Sequence, residues 1–141
     1  MLKLNTLSDT VTVSPQIAVE DIDVLKASGY KSVVCNRPDR EDAGQPDYTD
    51  IEAAAEAAGL ECLHLPVTQI SPGDAKEFKQ AIDELPKPVF AYCRSGTRCA
   101  TLWAFSQSGE LPVEDILNAT SAAGYDFKAI SDMIENMHKM L

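Results

Sequence analysis

Short apolar blocks alternate with longer amphipathic blocks along the chain, and this alternation predicts strands and helices in turn. The apolar blocks, rich in β-branched residues, predict strands at 11–13, 32–35, 61–66 and 88–91. The blocks with apolar positions at helical spacing predict helices at 19–28, 48–58, 71–85, 99–108, 113–122 and 127–140. Gly29, Gly59 and Gly109 follow three of these helices, at the position where glycine commonly ends a helix.

The element order β-α-β-α-β-α-β-α-α-α is typical of a three-layer α/β/α domain with a mostly parallel sheet. We expect four to five strands and a single domain over residues 1–141, because no repeat or linker divides the chain. Ligands of such sheets bind beyond the carboxyl ends of the strands. Cys93 follows the fourth strand, and Cys35-Asn36-Arg37 and Pro66-Val67-Thr68 follow two others, so these segments should open onto one edge.

Composition narrows the function classes. The chain has 141 residues, 45% of them hydrophobic and 24% charged, as in ordinary globular proteins. Its net charge of −10 argues against nucleic acid and against an anionic membrane surface as partners. The first residues lack the apolar stretch of a signal peptide, so we expect a cytoplasmic location.

Cysteine and histidine usage indicates neither a disulfide framework nor a metal site. The four cysteines include no Cys-x-x-Cys pair, and the two histidines, His64 and His138, lie far apart in sequence. We therefore expect reduced thiols, no metal and no cofactor. Cys35, at the end of a neighbouring strand, could approach Cys93, whereas Cys62 should lie in the core.

The segment from Tyr92 to Arg98 carries the clearest chemistry. It joins a strand to a helix N-terminus, where backbone N–H groups without intrahelical partners form an anion site. In such a setting the pKa of a cysteine thiol falls from about 8.5 to roughly 4–7. Arg94 and Arg98 add positive charge to an otherwise acidic protein. Cys93 is therefore predicted to be a nucleophile that meets an anionic substrate.

This segment resembles the active-site loop of rhodanese sulfurtransferases. The wider chain resembles the phosphatase-like domain of the beta-lactamase-hydrolase-like proteins, which implies the fold of the dual-specificity phosphatases. Three segments carry the second resemblance, over roughly residues 10 to 110: Gly29–Asp39, Gly59–Val67 and Pro88–Arg98. The family is described both as phosphatase-like and as sulfur-transferring, so two reactions stay open.

Three departures from the phosphatase pattern favour sulfur transfer. Only four residues separate Cys93 from Arg98, where cysteine-dependent phosphatases have five, so the cradle should be smaller. Cys99 stands where those enzymes have a serine or threonine. No aspartate lies near Thr68 to act as general acid, and Asp74 is six residues further on. We expect a persulfide on Cys93, with phosphoester hydrolysis through a phosphocysteine as the alternative and a non-catalytic anion-binding module as the third.

The residues receive roles on this basis. Cys93 is the nucleophile and Arg98 a catalytic residue that fixes the loop and contributes charge. The anion would be bound by the remaining loop residues and by a cation on a neighbouring strand end: Arg94, Ser95, Gly96, Thr97 and Arg37. Arg37 could instead pair with Asp39 or Glu41, and Asp74 or Cys99 could serve as general acid or resolving thiol.

The expected partners follow from the same roles. The substrate would be a small anionic sulfur donor, such as thiosulfate, or a phosphoester. The family resemblance implies that a metallo-hydrolase partner would be a separate protein, because this chain has no metal-ligand cluster. Neither the physiological donor nor the oligomeric state follows from the sequence.

Overall fold

A single sheet with strand order β1-β2-β5-β3-β4 organises the computed structural model, which describes residues 2–141. The strands are β1 (Asn5–Thr6), β2 (Val11–Ser14), β3 (Ser32–Cys35), β4 (Glu61–His64) and β5 (Val89–Tyr92). β2, β5, β3 and β4 run parallel, and β1 pairs antiparallel with β2 at the edge. The mostly parallel five-stranded sheet is confirmed. β1 was not predicted, because two residues are too few to show a pattern.

Helices cover both faces of the sheet. They are α1 (Asp21–Ala27), α2 (Tyr48–Ala57), α3 (Pro72–Glu84), α4 (Thr97–Ser106), α5 (Val113–Ala122) and α6 (Ser131–Asn136). Buried side chains of α1 and α2 share one hydrophobic cluster, and those of α3 to α6 share the other. The three-layer α/β/α architecture is therefore confirmed. Within residues 2–141, no helix has both the length and the apolar character needed to cross a bilayer.

The C-terminal segment is less regular than predicted. Instead of one helix over 127–140, α6 is flanked by the 3₁₀ helices Lys128–Ile130 and Met137–Met140. The Ile130 N–H donates to the Phe127 carbonyl, which closes a three-residue turn before α6 begins. This compact segment packs Phe127, Ile134 and Met137 against the cluster that also contains Cys93 and α4.

Alternation along the strands decides which cysteines meet. Cys35 lies opposite Tyr92 in the pairing of β3 with β5, and both belong to the cluster under α1 and α2. Cys93, one residue later, belongs to the opposite cluster together with Cys99. Successive side chains of a strand point to opposite faces. Cys35 therefore lies on the far side of the sheet from Cys93, and the expectation that it could approach Cys93 is wrong.

Candidate active site

Cys93 lies at the carboxyl end of the central strand β5, directly before α4. Its side chain is fully buried, and the Gly96 N–H donates a hydrogen bond to Cys93 Sγ at 3.2 Å. Gly96 has a φ of +90°, a left-handed conformation that glycine adopts without the strain of a Cβ atom. The chain can therefore turn back over the sulfur and enter α4 within four residues.

The pKa of the Cys93 thiol is lowered from 9.0 to about 6. A hydrogen bond from the Cys99 side chain is the largest cause, and burial opposes it. The backbone N–H groups of Cys99, Gly96 and Arg98 lower the pKa further. Because these donors favour the charged form, the thiolate predominates at neutral pH. The sequence predicts backbone N–H donors from residues 94–98. Gly96 and Arg98 lie in that range, and Cys99 extends it by one residue.

Cys99 lies beside Cys93, and its side chain is the largest cause of the lowered pKa of Cys93. It is completely buried in the first turn of α4, and burial raises its pKa well above 9.0. Interaction with the Cys93 thiolate raises the pKa of Cys99 further, so Cys99 stays a neutral thiol beside it. All four cysteines are free thiols. A resolving role for Cys99 stays a prediction.

Arg98 points towards the loop between β3 and α2. Its Nη1 and Nη2 atoms donate to the two carboxylate oxygens of Glu41, each at 2.8 Å, and Nη1 also donates to the Val67 carbonyl at 2.8 Å. Such a two-bond pairing fixes the plane of the guanidinium. The charges of Cys93 and Glu41 both contribute to raising the pKa of Arg98, after the hydrogen bonds to Glu41. The cation therefore lies near the sulfur and is held from outside the cysteine loop.

Arg37 is buried and also binds Glu41, the carboxylate that holds Arg98. Only 3% of its surface is exposed, and it donates to Glu41 at 2.9 Å, Gln16 at 3.0 Å and Asp42 at 2.8 Å. The sequence left open whether Arg37 binds the substrate or pairs with a nearby carboxylate. The structure gives it the pairing with Glu41, and direct contact with a substrate anion stays a prediction.

The remaining loop residues differ in exposure. The Arg94 side chain is 67% exposed, and its Nε lies 3.3 Å from an Asp42 carboxylate oxygen. Ser95 and Thr97 are exposed, and the Ser95 hydroxyl donates to the Thr97 hydroxyl at 3.0 Å. These three side chains line the outer surface of the loop, where an arriving anion could contact them.

Asp74 has a structural task at the start of α3. Its carboxylate accepts from the Ser71 N–H at 2.9 Å and from the Ser71 hydroxyl at 3.0 Å, while the Ser71 hydroxyl accepts from the Asp74 N–H. This is a capping box, which satisfies otherwise unpaired N–H groups of the first turn. The proline following Ser71 fits the predicted helix start. A general-acid role for Asp74 stays a prediction.

Sequence reasoning missed two residues that contact the loop. Glu41 was considered only as a partner of Arg37, although it also binds Arg98, 57 residues away. Tyr125 was not considered, although its hydroxyl donates to the Ser95 carbonyl at 3.3 Å. An acidic residue in the loop after a parallel strand was a usable signal for Glu41. No local signal pointed to Tyr125. In the described part of the chain, no group of three or more His, Cys, Asp or Glu side chains could hold a metal ion.

A strand-end cysteine with a lowered pKa, backbone donors and a nearby arginine is the geometry of a cysteine-based active site. Residues 3–110 match the family model of the beta-lactamase hydrolase-like protein, phosphatase-like domain. The chain belongs to this family. The sequence resemblance to it is therefore confirmed.

Curated relatives are longer than this chain. A beta-lactamase hydrolase-like protein of Agrobacterium fabrum is 33% identical over 138 residues, which are 95% of this chain and 32% of that protein. A protein of the same name from Xylella fastidiosa is 30% identical over 129 residues, covering 89% of this chain and 30% of its own length. The chain thus spans about a third of these relatives.

Solved structures share the fold along most of the chain. A crystal structure from Neisseria meningitidis Z2491, named as a candidate phosphatase, has a TM-score of 0.84 and 38% identity and covers 94% of this chain and 96% of its own. PTPMT1 has a TM-score of 0.74 at 15% identity, covering 96% of this chain and 94% of its own. The second likeness concerns the fold alone. The chain therefore has a cysteine-based, phosphatase-like fold.

Proposed function

We propose that this chain is a cysteine-dependent phosphatase that hydrolyses phosphoric monoesters through a phosphocysteine on Cys93. The observation that carries the proposal is the Cys93 thiol with a pKa of about 6, set between a central strand and a helix N-terminus, with Arg98 nearby. The similarity to a candidate phosphatase at 38% identity supports the same reaction class. On this reading, the sequence-based preference for sulfur transfer gives way to its alternative.

The reaction has two steps. The Cys93 thiolate attacks phosphorus, the bond from phosphorus to the ester oxygen breaks, and the leaving group departs with its electron pair and takes a proton from water. Water then attacks the phosphocysteine, which releases inorganic phosphate and restores the thiolate. Loop N–H groups and Arg98 stabilise the charge on the phosphoryl oxygens during both steps.

One edge of the Arg98 guanidinium stays available to stabilise the phosphoryl oxygens. Its Nη1–Nη2 edge is bound by Glu41, which leaves Nε and the second Nη2 hydrogen on the adjacent edge. A guanidinium can bind two anions on different edges, because its five N–H donors lie in one plane. Glu41 therefore fixes Arg98 and leaves donors of the guanidinium for a phosphoryl group.

Glu41, the carboxyl group that binds Arg98, is not poised to donate a proton. The hydrogen bonds from Arg98 lower the pKa of Glu41 to about 2, so Glu41 is ionised at working pH. Asp42 is paired with Arg37 and Arg94. A substrate whose leaving group is stable as an anion, such as an aryl phosphate, is therefore the appropriate first probe.

Sulfur transfer is the second candidate, favoured by the size of the cradle. The loop has four residues between Cys93 and Arg98, and it encloses the sulfur completely. A persulfide adds one sulfur atom, whereas a phosphoryl group adds four heavy atoms. Transfer from thiosulfate would leave sulfite and a Cys93 persulfide, which cyanide converts back to the thiolate as thiocyanate forms.

The test compares both reactions on one protein preparation. Hydrolysis of p-nitrophenyl phosphate, with and without orthovanadate, is measured beside thiocyanate production from thiosulfate and cyanide. Cys93→Ser is the inactive variant, and Cys62→Ser is the matched control, because Cys62 is a partly exposed thiol on β4. We expect vanadate-sensitive hydrolysis that Cys93→Ser abolishes and Cys62→Ser retains.

The other outcomes separate the candidates. Thiocyanate production that depends on Cys93, without hydrolysis, overturns the phosphatase proposal and establishes sulfur transfer. If both activities are absent and phosphate or sulfate raises the melting temperature, the chain is a non-catalytic anion-binding module. A metallo-hydrolase as a separate partner, and a cytoplasmic location, stay predictions.

A further inference from the structure

Tyr125 reaches the cysteine loop from outside the region that matches the family model. It lies beyond α5, after residue 110, where the family match ends. Its hydroxyl donates to the Ser95 carbonyl at 3.3 Å and accepts from the Asn5 side-chain amide at 2.8 Å. Asn5 and Tyr125, 120 positions apart in sequence, therefore meet beside the loop that carries Cys93.

The Ser95 carbonyl belongs to the same peptide group as the Gly96 N–H. In a planar trans peptide, the C=O and N–H bonds point in opposite directions, so fixing one fixes the other. The Gly96 N–H donates to Cys93 Sγ at 3.2 Å. Holding the Ser95 carbonyl from outside the loop thus aims the N–H at the sulfur inside it.

Every hydrogen bond in this series donates towards Cys93. Asn5 donates to the Tyr125 oxygen, Tyr125 donates to the Ser95 carbonyl, and the peptide N–H donates to the sulfur. Hydrogen bonds that follow one another in the same direction polarise and strengthen each other. The series therefore stabilises negative charge on the sulfur more than the last bond would alone.

Packing shows that the hydroxyl lies directly against the loop. A Cβ atom on Gly96 would collide with the Tyr125 hydroxyl and crowd the Ser14 backbone at 3.3 Å. Burial is the largest cause of the raised pKa of Tyr125, and the negative charge of Cys93 raises it further. The Tyr125 hydroxyl is therefore close enough to interact with the thiolate through the intervening peptide.

We propose that Tyr125 is a positioning residue for Cys93, whose hydroxyl orients the Ser95–Gly96 peptide so that the Gly96 N–H points at the sulfur. Asn5 orients that hydroxyl, since its amide occupies the oxygen and directs the O–H towards Ser95. The inference rests on the proposed role of Cys93 as the nucleophile. It adds a residue near the C-terminus to a site that the sequence places entirely on the loop and neighbouring strand ends.

The test measures the thiol pKa of Cys93 in Tyr125→Phe, which removes only the hydroxyl. The pKa comes from the pH dependence of iodoacetamide labelling of the Cys93 peptide, read by mass spectrometry. We expect an upward shift of about half a unit, or about a threefold smaller thiolate fraction well below the pKa, because one indirect hydrogen bond is lost. At pH 9 the Cys93 thiolate is fully formed in both proteins, so the labelling rates of wild type and Tyr125→Phe should agree within about twofold.

Two further variants make the result specific. Tyr30→Phe is the matched control. The Tyr30 hydroxyl donates to the Thr12 hydroxyl at 2.8 Å and takes no part in the hydrogen bonds that lead from Asn5 to Cys93. The pKa of Cys93 should therefore stay unchanged in this variant. Asn5→Ala keeps the tyrosine and removes its donor, so the shift should have the same sign and a smaller size. It also replaces Tyr125→Phe if that variant fails to fold.

The outcomes distinguish this inference from the proposed function. An unchanged Cys93 pKa in folded Tyr125→Phe, or an equal shift in Tyr30→Phe, overturns the positioning role and leaves the nucleophile intact. A wild-type Cys93 that reacts only above pH 8 overturns the proposed nucleophile itself. A shift in Tyr125→Phe with a smaller one in Asn5→Ala supports the inference.

Discussion

At the scale of single residues, Cys35 at the end of β3 and Cys93 directly after β5 show how the environment decides the pKa of a thiol. Burial raises the pKa of Cys35 to about 11, and its S–H donates to the Arg37 carbonyl at 3.3 Å. Burial acts on Cys93 in the same direction, but the Cys99 thiol and three backbone N–H groups outweigh it. One face of the sheet therefore holds a neutral thiol and the other a thiolate.

The carboxylate of Glu41 is a residue-scale feature with a direct test. Glu41→Gln keeps the shape of the side chain but removes the charge that holds Arg98, so the cation should become less well positioned. We expect kcat/KM for an aryl phosphate to fall about tenfold, since a charged hydrogen bond contributes about 1.5–3 kcal/mol. Steady-state kinetics at pH 7 measures the change.

Asp42→Asn is the control for Glu41→Gln. Asp42 contacts Arg37 and Arg94 but has no hydrogen bond to Arg98, so its loss should change kcat/KM less. A Glu41→Gln variant that is as active as the wild type, or more active, would contradict the prediction. That result would mean that Glu41 competes with the substrate for Arg98.

At the scale of elements, the starts of two helices serve different purposes. α4 begins after Gly96, which has no side chain that could cap the helix, and the N–H groups of Arg98 and Cys99 in its first turn are available to Cys93. α3 begins with a complete capping box, in which Ser71 and Asp74 satisfy each other's backbone N–H groups. The N–H groups at the start of α4 lower the pKa of Cys93, whereas the capping box at the start of α3 stabilises its own helix.

The capping role of Asp74 predicts a stability effect without a catalytic one. Asp74→Ala should lower the free energy of unfolding by about 1 kcal/mol, as should Ser71→Ala, because each removes half of the box. The kcat of Asp74→Ala should equal that of the wild type. Thermal unfolding and steady-state kinetics measure the two effects.

A different kinetic result would support the general-acid role of Asp74, which the sequence left open. If Asp74→Ala lowers kcat strongly for a poor leaving group and removes the high-pH limb of the rate profile, Asp74 protonates the leaving group. Ser71→Ala is the control, because it weakens the same helix start and leaves the carboxyl group in place.

At the scale of the whole molecule, the site is a small cationic region on an acidic protein. The chain carries a net charge of −10, and three arginines near Cys93 are paired with two carboxylates. The surrounding negative charge opposes the approach of an anion, and the local pairs moderate the attraction. An anionic substrate therefore depends on the hydrogen bonds of the loop more than on long-range attraction.

Thiolate formation also couples the site to global stability. Between pH 6 and 9, an unfolded thiol with a pKa near 9.0 binds a proton that the native Cys93 has released. The free energy of unfolding therefore rises with pH across this range and loses this contribution as pH falls through about 6. We expect wild type to gain stability relative to Cys93→Ser from pH 6 to 9, by on the order of a few kcal/mol.

Denaturant unfolding of both proteins at pH 6 and at pH 9 measures this difference. The comparison with Cys93→Ser removes the contributions of Cys35 and Cys62, whose raised pKa values favour the folded state below their own titration ranges. A difference between wild type and variant that does not change with pH would mean that Cys93 is protonated in the folded protein.

Local pattern and spacing determined the order of the elements and the place of Cys93. Strands and helices follow from periodicity along the chain, so β3 and α5 match their predicted bounds and most others differ by only a few residues. A lowered pKa of Cys93 was predicted from the strand-to-helix turn, because its backbone donors are neighbours in sequence. The Cys99 side chain, the largest cause of the lowered pKa, was not predicted as a donor. The family resemblance was also readable from the segments around this turn.

Only the tertiary structure decided what surrounds the loop. Glu41 on Arg98 and Tyr125 on Ser95 join residues separated by 57 and 30 positions. Cys35 is removed from the site by the alternation of the sheet, which depends on the register of β3 against β5. Periodicity specifies which face of an element is buried, but it does not specify which distant polar side chain meets which. The position of Cys93 and the direction of its pKa shift were therefore predictable from the sequence, whereas the distant side chains that contact its loop were not.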